Sequence, residues 1–127
     1  KLKIFIKEQL HTTMRFKRSE RVQELLLKEI SALIQRGLKD PRIGFATVTT
    51  VDLSDNLKHA KVYISVFGTE SERQDTIVGL TSASGFIRGS LGKNLNLRYI
   101  PILEFILDET AEHVAKINKI INELHSE

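Results

Sequence analysis

The chain has 127 residues, which is enough for one domain with a hydrophobic core and too short for two. Hydrophobic residues make up 41% of it and charged residues 28%, and it has no cysteine, which excludes disulfides and disfavours a structural zinc site. The net charge is +3, and no apolar run reaches the roughly 20 residues that a membrane-spanning helix requires.

The first thirteen residues, KLKIFIKEQLHTT, carry no turn chemistry and no cap that would tie them to the following segment. Their longest apolar run, Ile4 to Ile6, is shorter than the core of about 7–15 residues that a secretory signal needs. The only methionine, Met14, follows directly. We interpret residues 1–13 as an added or upstream extension without fixed structure, in preference to a native arm, and residues 14–127 as the folded domain.

A first helix is predicted from a cap at Ser19 to about Arg36, because Gly37 follows and apolar residues recur at steps of three and four. These apolar residues are Val22, Leu25, Leu26, Ile30, Leu33 and Ile34. The turn residues 40–44 then lead into a strand from Phe45 to Leu53. A second strand follows a turn at residues 54–56, and its alternating residues 60–67 predict one buried face.

Two further helices are predicted after Gly68, beginning with overlapping capping boxes, Thr69 with Glu72 and Ser71 with Gln74. A kink at Gly85 separates their apolar stripes, which consist of Ile77, Val78, Leu80 and Ala83 and then Phe86, Ile87, Leu91 and Leu95. A third strand is predicted from Arg98 to Leu107. Asp108 is expected to cap a last helix that buries Ala111, Val114, Ile117, Ile121 and Leu124. The predicted fold class is α+β, in the order α-β-β-α-kink-α-β-α.

Catalytic chemistry is poorly represented. The four histidines, at positions 11, 59, 113 and 125, lack metal-ligand spacing. Gly92-Lys93 resembles part of a phosphate loop, but Ile87 stands where that loop needs glycine and Asn94 where it needs serine or threonine. We therefore predict no catalytic residue, no metal, no cofactor and no enzymatic activity.

The charge is distributed unevenly. Residues 14–42 carry eight basic and four acidic residues, residues 81–103 carry three basic and no acidic residues, and residues 104–127 carry six acidic residues and two lysines. Two separated basic stretches are compatible with a polyanionic partner and equally with a solvated surface.

The motifs in their order and spacing resemble the ribosome-binding factor A family, along Met14 to Leu124. The segments that carry the resemblance are Arg21-Val22, residues 39–44 (KDPRIG), 60–63 (AKVY), 83–88 (ASGFIR) and 95–98 (LNLR), with Pro101, Phe105 and Asp108. The resemblance implies a type II KH-like fold, a three-stranded sheet with helices on one face. It also implies that the Ala83-Ser84-Gly85 kink replaces the usual RNA-clamping Gly-x-x-Gly loop. The literal Gly-x-x-Gly at residues 89–92 is interpreted as incidental.

The same resemblance implies a function. Members bind the immature small (30S) ribosomal subunit near its neck and assist late folding and processing of 16S rRNA, notably in the cold. A ribosome-dependent GTPase is expected to release them, and the chain is expected to be a cytoplasmic monomer without a membrane partner. The alternatives are a general single-stranded RNA-binding KH module and a domain that contacts a ribosomal protein.

The candidate RNA-binding residues belong to the basic stretches and to the kink. Solvated helix faces are the alternative for Arg88 and Lys93, and a packing requirement is the alternative for Gly85. Arg42 could instead order its turn, and Arg98 could pair with Glu104 or Asp108. The candidates are Arg15, Lys17, Arg18, Arg21, Lys28, Arg42, Ser82, Ser84, Gly85, Arg88, Lys93 and Arg98.

Overall fold

The computed structural model describes the backbone of residues 2–125 and the side chains of residues 18–125. Within that part, the chain forms four helices and three strands in the predicted order, which confirms the α+β class. No helix in it is long and apolar enough to cross a membrane. The elements are α1 (Leu2–Gln35), β1 (Ala46–Leu53), β2 (His59–Val66), α2 (Glu70–Ser82), α3 (Ser84–Asn94), β3 (Ile102–Leu107) and α4 (Thr110–His125).

The sheet has the order β1-β2-β3, with β1 and β2 antiparallel and β2 and β3 parallel. The central strand has the predicted period of two, because Ala60, Val62, Ile64 and Val66 are buried while the residues between them are more exposed. The parallel pairing of β2 with β3 follows from the two helices that connect them. The type II KH-like arrangement predicted from the sequence is thus confirmed.

A bulge in β1 at Thr49 keeps both Val48 and Val51 directed to the core, although they are three residues apart. The extra residue has partners of its own. The Thr49 hydroxyl donates to Asp108 Oδ2 at 2.6 Å and lies 3.3 Å from the carbonyl oxygen of Tyr63.

The core lies between the inner face of the sheet and helices α1, α2 and α3. Helix α1 packs on β1 and α3, and α2 packs on β3. Burial of the apolar stripes drives this packing at about 25 cal/mol per Å². The helical residues at its centre, all fully buried, are Leu26, Ile30, Leu80, Ile87 and Leu91.

The prediction that Ser19 begins the first helix was wrong, because α1 extends back to Leu2. Residues 2–18 contain neither glycine nor proline, so the sequence holds no helix breaker there. The backbone of residues 2–13 belongs to this helix, which differs from the expectation that the segment lacks fixed structure. The interpretation of residues 1–13 as an added extension is not tested and stays a prediction.

The third strand begins at Ile102 and not at Arg98 as predicted. Pro101 is buried directly before it and has no N–H to donate to the sheet. The strand's first ladder bond runs from the amide of Ile102 to the carbonyl of Lys58 at 2.8 Å. Residues 95–101 therefore form a loop beside the start of β2.

Helix α4 does not bury the face that its periodicity predicts. Val114, Ile117, Ile121 and Leu124 are between 44% and 69% exposed, and no residue of the helix is buried. Three other stripe residues, Leu25, Val78 and Phe86, are also exposed instead of packed in the core. The sheet's inner face is already covered by α1, α2 and α3, which leaves α4 no apolar surface of the core to join.

Of the two capping boxes proposed for α2, the first is confirmed. Thr69 Oγ1 accepts from the Glu72 amide at 3.2 Å, and the Glu72 carboxylate accepts from the Thr69 amide at 3.3 Å. The box of Ser71 with Gln74 does not form, because α2 has already begun at Glu70.

Candidate nucleic-acid interface

The bend between α2 and α3 falls at Ala83, whose φ of −85° and ψ of −1° link the two helices. The sequence placed it at Gly85, which is instead the second residue of α3 and has no positive φ. Two hydroxyls bond the turn: Ser84 Oγ donates to the Thr81 carbonyl and Thr81 Oγ1 to the Ile77 carbonyl, at 2.7 and 2.8 Å. A Cβ added at Gly85 would meet nothing within 4 Å. The fold therefore does not need glycine there, and the space beside this backbone is open.

Helix α3 begins without a side-chain cap and without an acidic residue in its first turn. Amide groups at such a start carry partial positive charge and favour anions, phosphate among them. The neighbouring Ser82 and Gly85 are exposed, as is Lys93 in the last turn of the same helix. The Gly-x-x-Gly at residues 89–92 lies inside α3, where the sequence placed it.

Arg88 has partners within the fold. Its Nε donates to the Pro101 carbonyl and its Nη2 to the Ile100 carbonyl, both at 3.1 Å, and the side chain is half-buried. The guanidinium thus joins α3 to the loop before β3. It positions that loop, and it is less available to RNA than its sequence position indicated.

Arg42 forms a compact turn with Asp40. Its Nη2 lies 2.6 Å from Asp40 Oδ2, and its Nε and backbone amide donate to Oδ1 at 3.0 and 2.9 Å. The hydrogen bonds from Arg42 lower the pKa of Asp40 to about 2. Of the two roles considered for Arg42, ordering the turn is the one with visible contacts.

The same turn packs closely on α2. A Cβ at Gly79 would lie 2.8 Å from Ile43 Cγ1, so only glycine allows this approach without a shift. The buried Thr76 hydroxyl accepts from the Gly44 amide at 3.2 Å and donates to the Glu72 carbonyl at 2.8 Å. Residues 40–44 are therefore fixed against the helix that leads to the kink.

Arg98 is part of a cluster that sequence reasoning missed. Its guanidinium carbon lies 5.6 Å from the centre of the Tyr99 ring, and Lys58 Nζ lies 5.8 Å from the same centre. Tyr99 is 55% exposed. Within residues 18–125, neither Glu104 nor Asp108 pairs with Arg98, and the Asp108 oxygens accept from Thr49 and Thr110. The hairpin turn that holds Lys58 gave no sequence signal that it would meet the loop before β3.

Helix α1 carries a basic stripe on one side. Arg18, Arg21 and Lys28 are exposed and spaced so that they fall on the same side of the helix, with the exposed Glu24 at the border of this stripe. Arg36, directly after the helix, is also exposed and continues their line. Within residues 18–125, no carboxylate forms an ion pair with them. The two remaining cationic candidates, Arg15 and Lys17, lie outside the described side chains.

One other exposed surface is acidic and not basic. Phe67, which is 89% exposed, lines a cleft together with Glu72, Arg73 and Glu112. Arg73 is already paired with Glu70 and Glu112. Within residues 18–125, no group of three or more histidine or acidic side chains is arranged to hold a metal ion. Within residues 18–125, the candidate RNA-binding residues thus lie outside this acidic cleft.

Comparison with known proteins identifies the family. The sequence model of the ribosome-binding factor A family matches residues 18–121. A Brevibacillus brevis protein named ribosome-binding factor A is 48% identical over 110 residues, which cover 87% of this chain and 91% of the relative. The crystal structure of ribosome-binding factor A from Thermus thermophilus is similar, with a TM-score of 0.62 and 27% identity over 70% of this chain and 94% of that one. A homology model of the Thermus thermophilus factor, fitted into a cryo-EM map of a 30S complex, gives a TM-score of 0.54 and 26% identity, covering 72% and 91%.

Proposed function

Because the chain belongs to the ribosome-binding factor A family, we propose that it binds the immature small ribosomal subunit and its 16S rRNA. It assists the late folding and processing of that RNA, and the requirement is greatest in the cold. The observation that carries this proposal is the family match over residues 18–121, together with a structural relative that was fitted into a 30S complex.

The RNA-binding surface consists of three parts. The first is the basic stripe, formed by Arg18, Arg21 and Lys28 of α1 and by Arg36 directly after it. The candidates Arg15 and Lys17 precede this stripe in the sequence. The second is the start of α3 at Ser84 and Gly85, where open space and uncapped amides suit a phosphate. Ser82 lies beside it, and Lys93 is in the last turn of the same helix. The third is the pair of Lys58 and Arg98 around Tyr99, where cations and an exposed ring suit a single strand.

Binding of this kind is stoichiometric and needs no catalytic group or cofactor. Lysine and arginine neutralise phosphates, and each neutralised phosphate releases counterions. The factor leaves the subunit when maturation is complete, and a ribosome-dependent GTPase promotes that release. It acts as a monomer in the cytoplasm, where it has no membrane partner.

Sedimentation of cell extract tests the proposal. A small-subunit factor sediments with free small subunits and is depleted from translating ribosomes. A general RNA-binding module would spread over all RNA-containing fractions, and a domain held by a ribosomal protein would stay bound after nuclease treatment. Either of these two profiles would replace the proposed function by the corresponding alternative.

A further inference from the structure

An apolar cleft lies between the kink and the turn that follows α1. It is lined by Gly37, Leu38, Lys39, Asp40, Ser82, Ala83 and Phe86, and its volume is about 500 Å³. Phe86 is 66% exposed although it lies in the first turn of α3, so its ring contributes little to the core. The volume lies within the range of about 300–1,000 Å³ that is typical of small-ligand sites.

Charges around the cleft favour an anionic polymer. Arg36 and Lys39 are exposed on either side of Gly37, and within residues 18–125 neither has an ion-pair partner. The acidic lining residue, Asp40, is neutralised by Arg42, which also interacts with Asp75. The basic stripe of α1 ends at Arg36, so a strand that follows the stripe arrives at the cleft.

We infer that this cleft receives one unpaired nucleobase of the bound RNA, which stacks on the ring of Phe86 while Arg36 and Lys39 contact the adjoining phosphates. This inference rests on the proposed function, since the ligand is a single-stranded part of the same RNA. Aromatic side chains bind unpaired bases through their faces, whatever the base identity. An exposed ring beside an open cleft provides such a face at no cost to the core.

Three substitutions of Phe86 test the inference, with a short oligoadenylate and the abasic ribose-phosphate strand of the same length as probes. Loss of one stacked base corresponds to a factor of roughly 5 to 150 in affinity. Phe86→Ala should show this loss for oligoadenylate and almost none for the abasic strand. Phe86→Trp should retain binding, while Phe86→Leu, which keeps apolar volume without a flat ring, should lose most of it.

Phe67→Ala is the matched control, because Phe67 is equally aromatic and exposed but stands beside Glu72 and Glu112. It should bind the oligoadenylate as the unaltered protein does, and the slope of affinity against salt should be unchanged in both alanine variants. Melting temperatures verify that the variants are folded.

Wild-type affinity of Phe86→Ala for oligoadenylate would overturn the inference and leave the proposed function standing. If Phe86→Ala lost small-subunit binding but kept oligoadenylate binding, the cleft would receive a side chain of a ribosomal protein and not a nucleobase. That result would also overturn the inference. If the unaltered protein failed to bind small subunits at all, the proposed function itself would fail, and the inference with it.

Discussion

Replacing Gly85 with alanine separates the needs of the fold from those of RNA binding. The added methyl group would meet no atom within 4 Å, and the residue has ordinary helical geometry as the second residue of α3. Alanine is favoured over glycine in helices by about 0.5–1 kcal/mol. The free energy of unfolding should therefore rise by up to about 1 kcal/mol, which corresponds to an increase in melting temperature of about 2–5 °C.

RNA binding should change in the opposite direction. If the backbone at Gly85 approaches a phosphate, the methyl group obstructs that approach and removes one hydrogen bond to a charged group, worth about 1.5–3 kcal/mol. The dissociation constant for purified immature small subunits should rise about 10- to 100-fold at constant salt. Gly85→Val, with a larger side chain at the same place, should bind more weakly still.

Gly89→Ala is the control for this experiment, because it lies in the same helix and its added methyl group also meets nothing within 4 Å. Gly89→Ala should gain similar stability and bind small subunits with normal affinity. Gly92→Ala should also bind them with normal affinity. Gly79→Ala provides the contrast, because the 2.8 Å approach to Ile43 predicts a destabilisation of about 0.5–2 kcal/mol. If Gly85→Ala bound immature small subunits as tightly as the unaltered protein, the phosphate site at the start of α3 would be refuted. If only the Gly89 and Gly92 variants lost affinity, the phosphate site would lie at the later turn of α3.

Three other predictions concern charge. Glutamate at both Arg18 and Arg21 should reduce small-subunit binding while the melting temperature stays constant, since both side chains are exposed; unchanged binding would make the stripe a solvated surface. Affinity should fall with salt at a log–log slope of about −3 to −4, for four to six phosphate contacts, whereas a slope near zero would exclude electrostatic binding. The pKa of Asp40 is about 2 because of Arg42, so its stabilising contribution is present above its unfolded pKa of about 3.9 and is lost as pH falls from about 4 to 2. The difference in melting temperature between the protein and Asp40→Asn should shrink over that range, and a difference at pH 2 as large as the one at pH 5 would contradict the ion pair.

Local patterns predicted the fold well wherever the partner of a segment lies nearby. The alternation in β2 and the Thr69–Glu72 box are each decided within a few residues, and both are confirmed. The stripe of α4 is equally regular, but periodicity indicates that a face is apolar and not what will cover it. The bend moved from Gly85 to Ala83 because glycine permits a bend without requiring one, and here the Ser84 and Thr81 hydroxyls bond the turn.

The candidate site was harder to predict because its residues meet across the fold. Lys58 and Tyr99 lie 41 positions apart in the sequence, and only the parallel pairing of β2 with β3 brings their loops together. Phe86 looked like a core residue because it follows the stripe of α3, whereas in the structure it borders an open cleft. In both cases the sequence shows the aromatic or basic side chain, but it does not show which residues surround that side chain in the fold.

The arginines show why positive charge in a sequence overstates the number of RNA contacts. Arg42 and Arg73 are paired with carboxylates of the fold, so moving either onto a phosphate would leave a carboxylate unpaired. Arg88 keeps its charge but is fixed by two carbonyls that would lose their donor if it turned towards RNA. The cations without such ties, on α1 and around Tyr99, form no ion pair within residues 18–125 and are exposed, so they can change partners at little cost. Replacing the cations on α1 and around Tyr99 should therefore reduce the slope of affinity against salt. Replacing Arg88 should mainly lower the melting temperature, because the loop before β3 loses two hydrogen bonds, and should change the slope little.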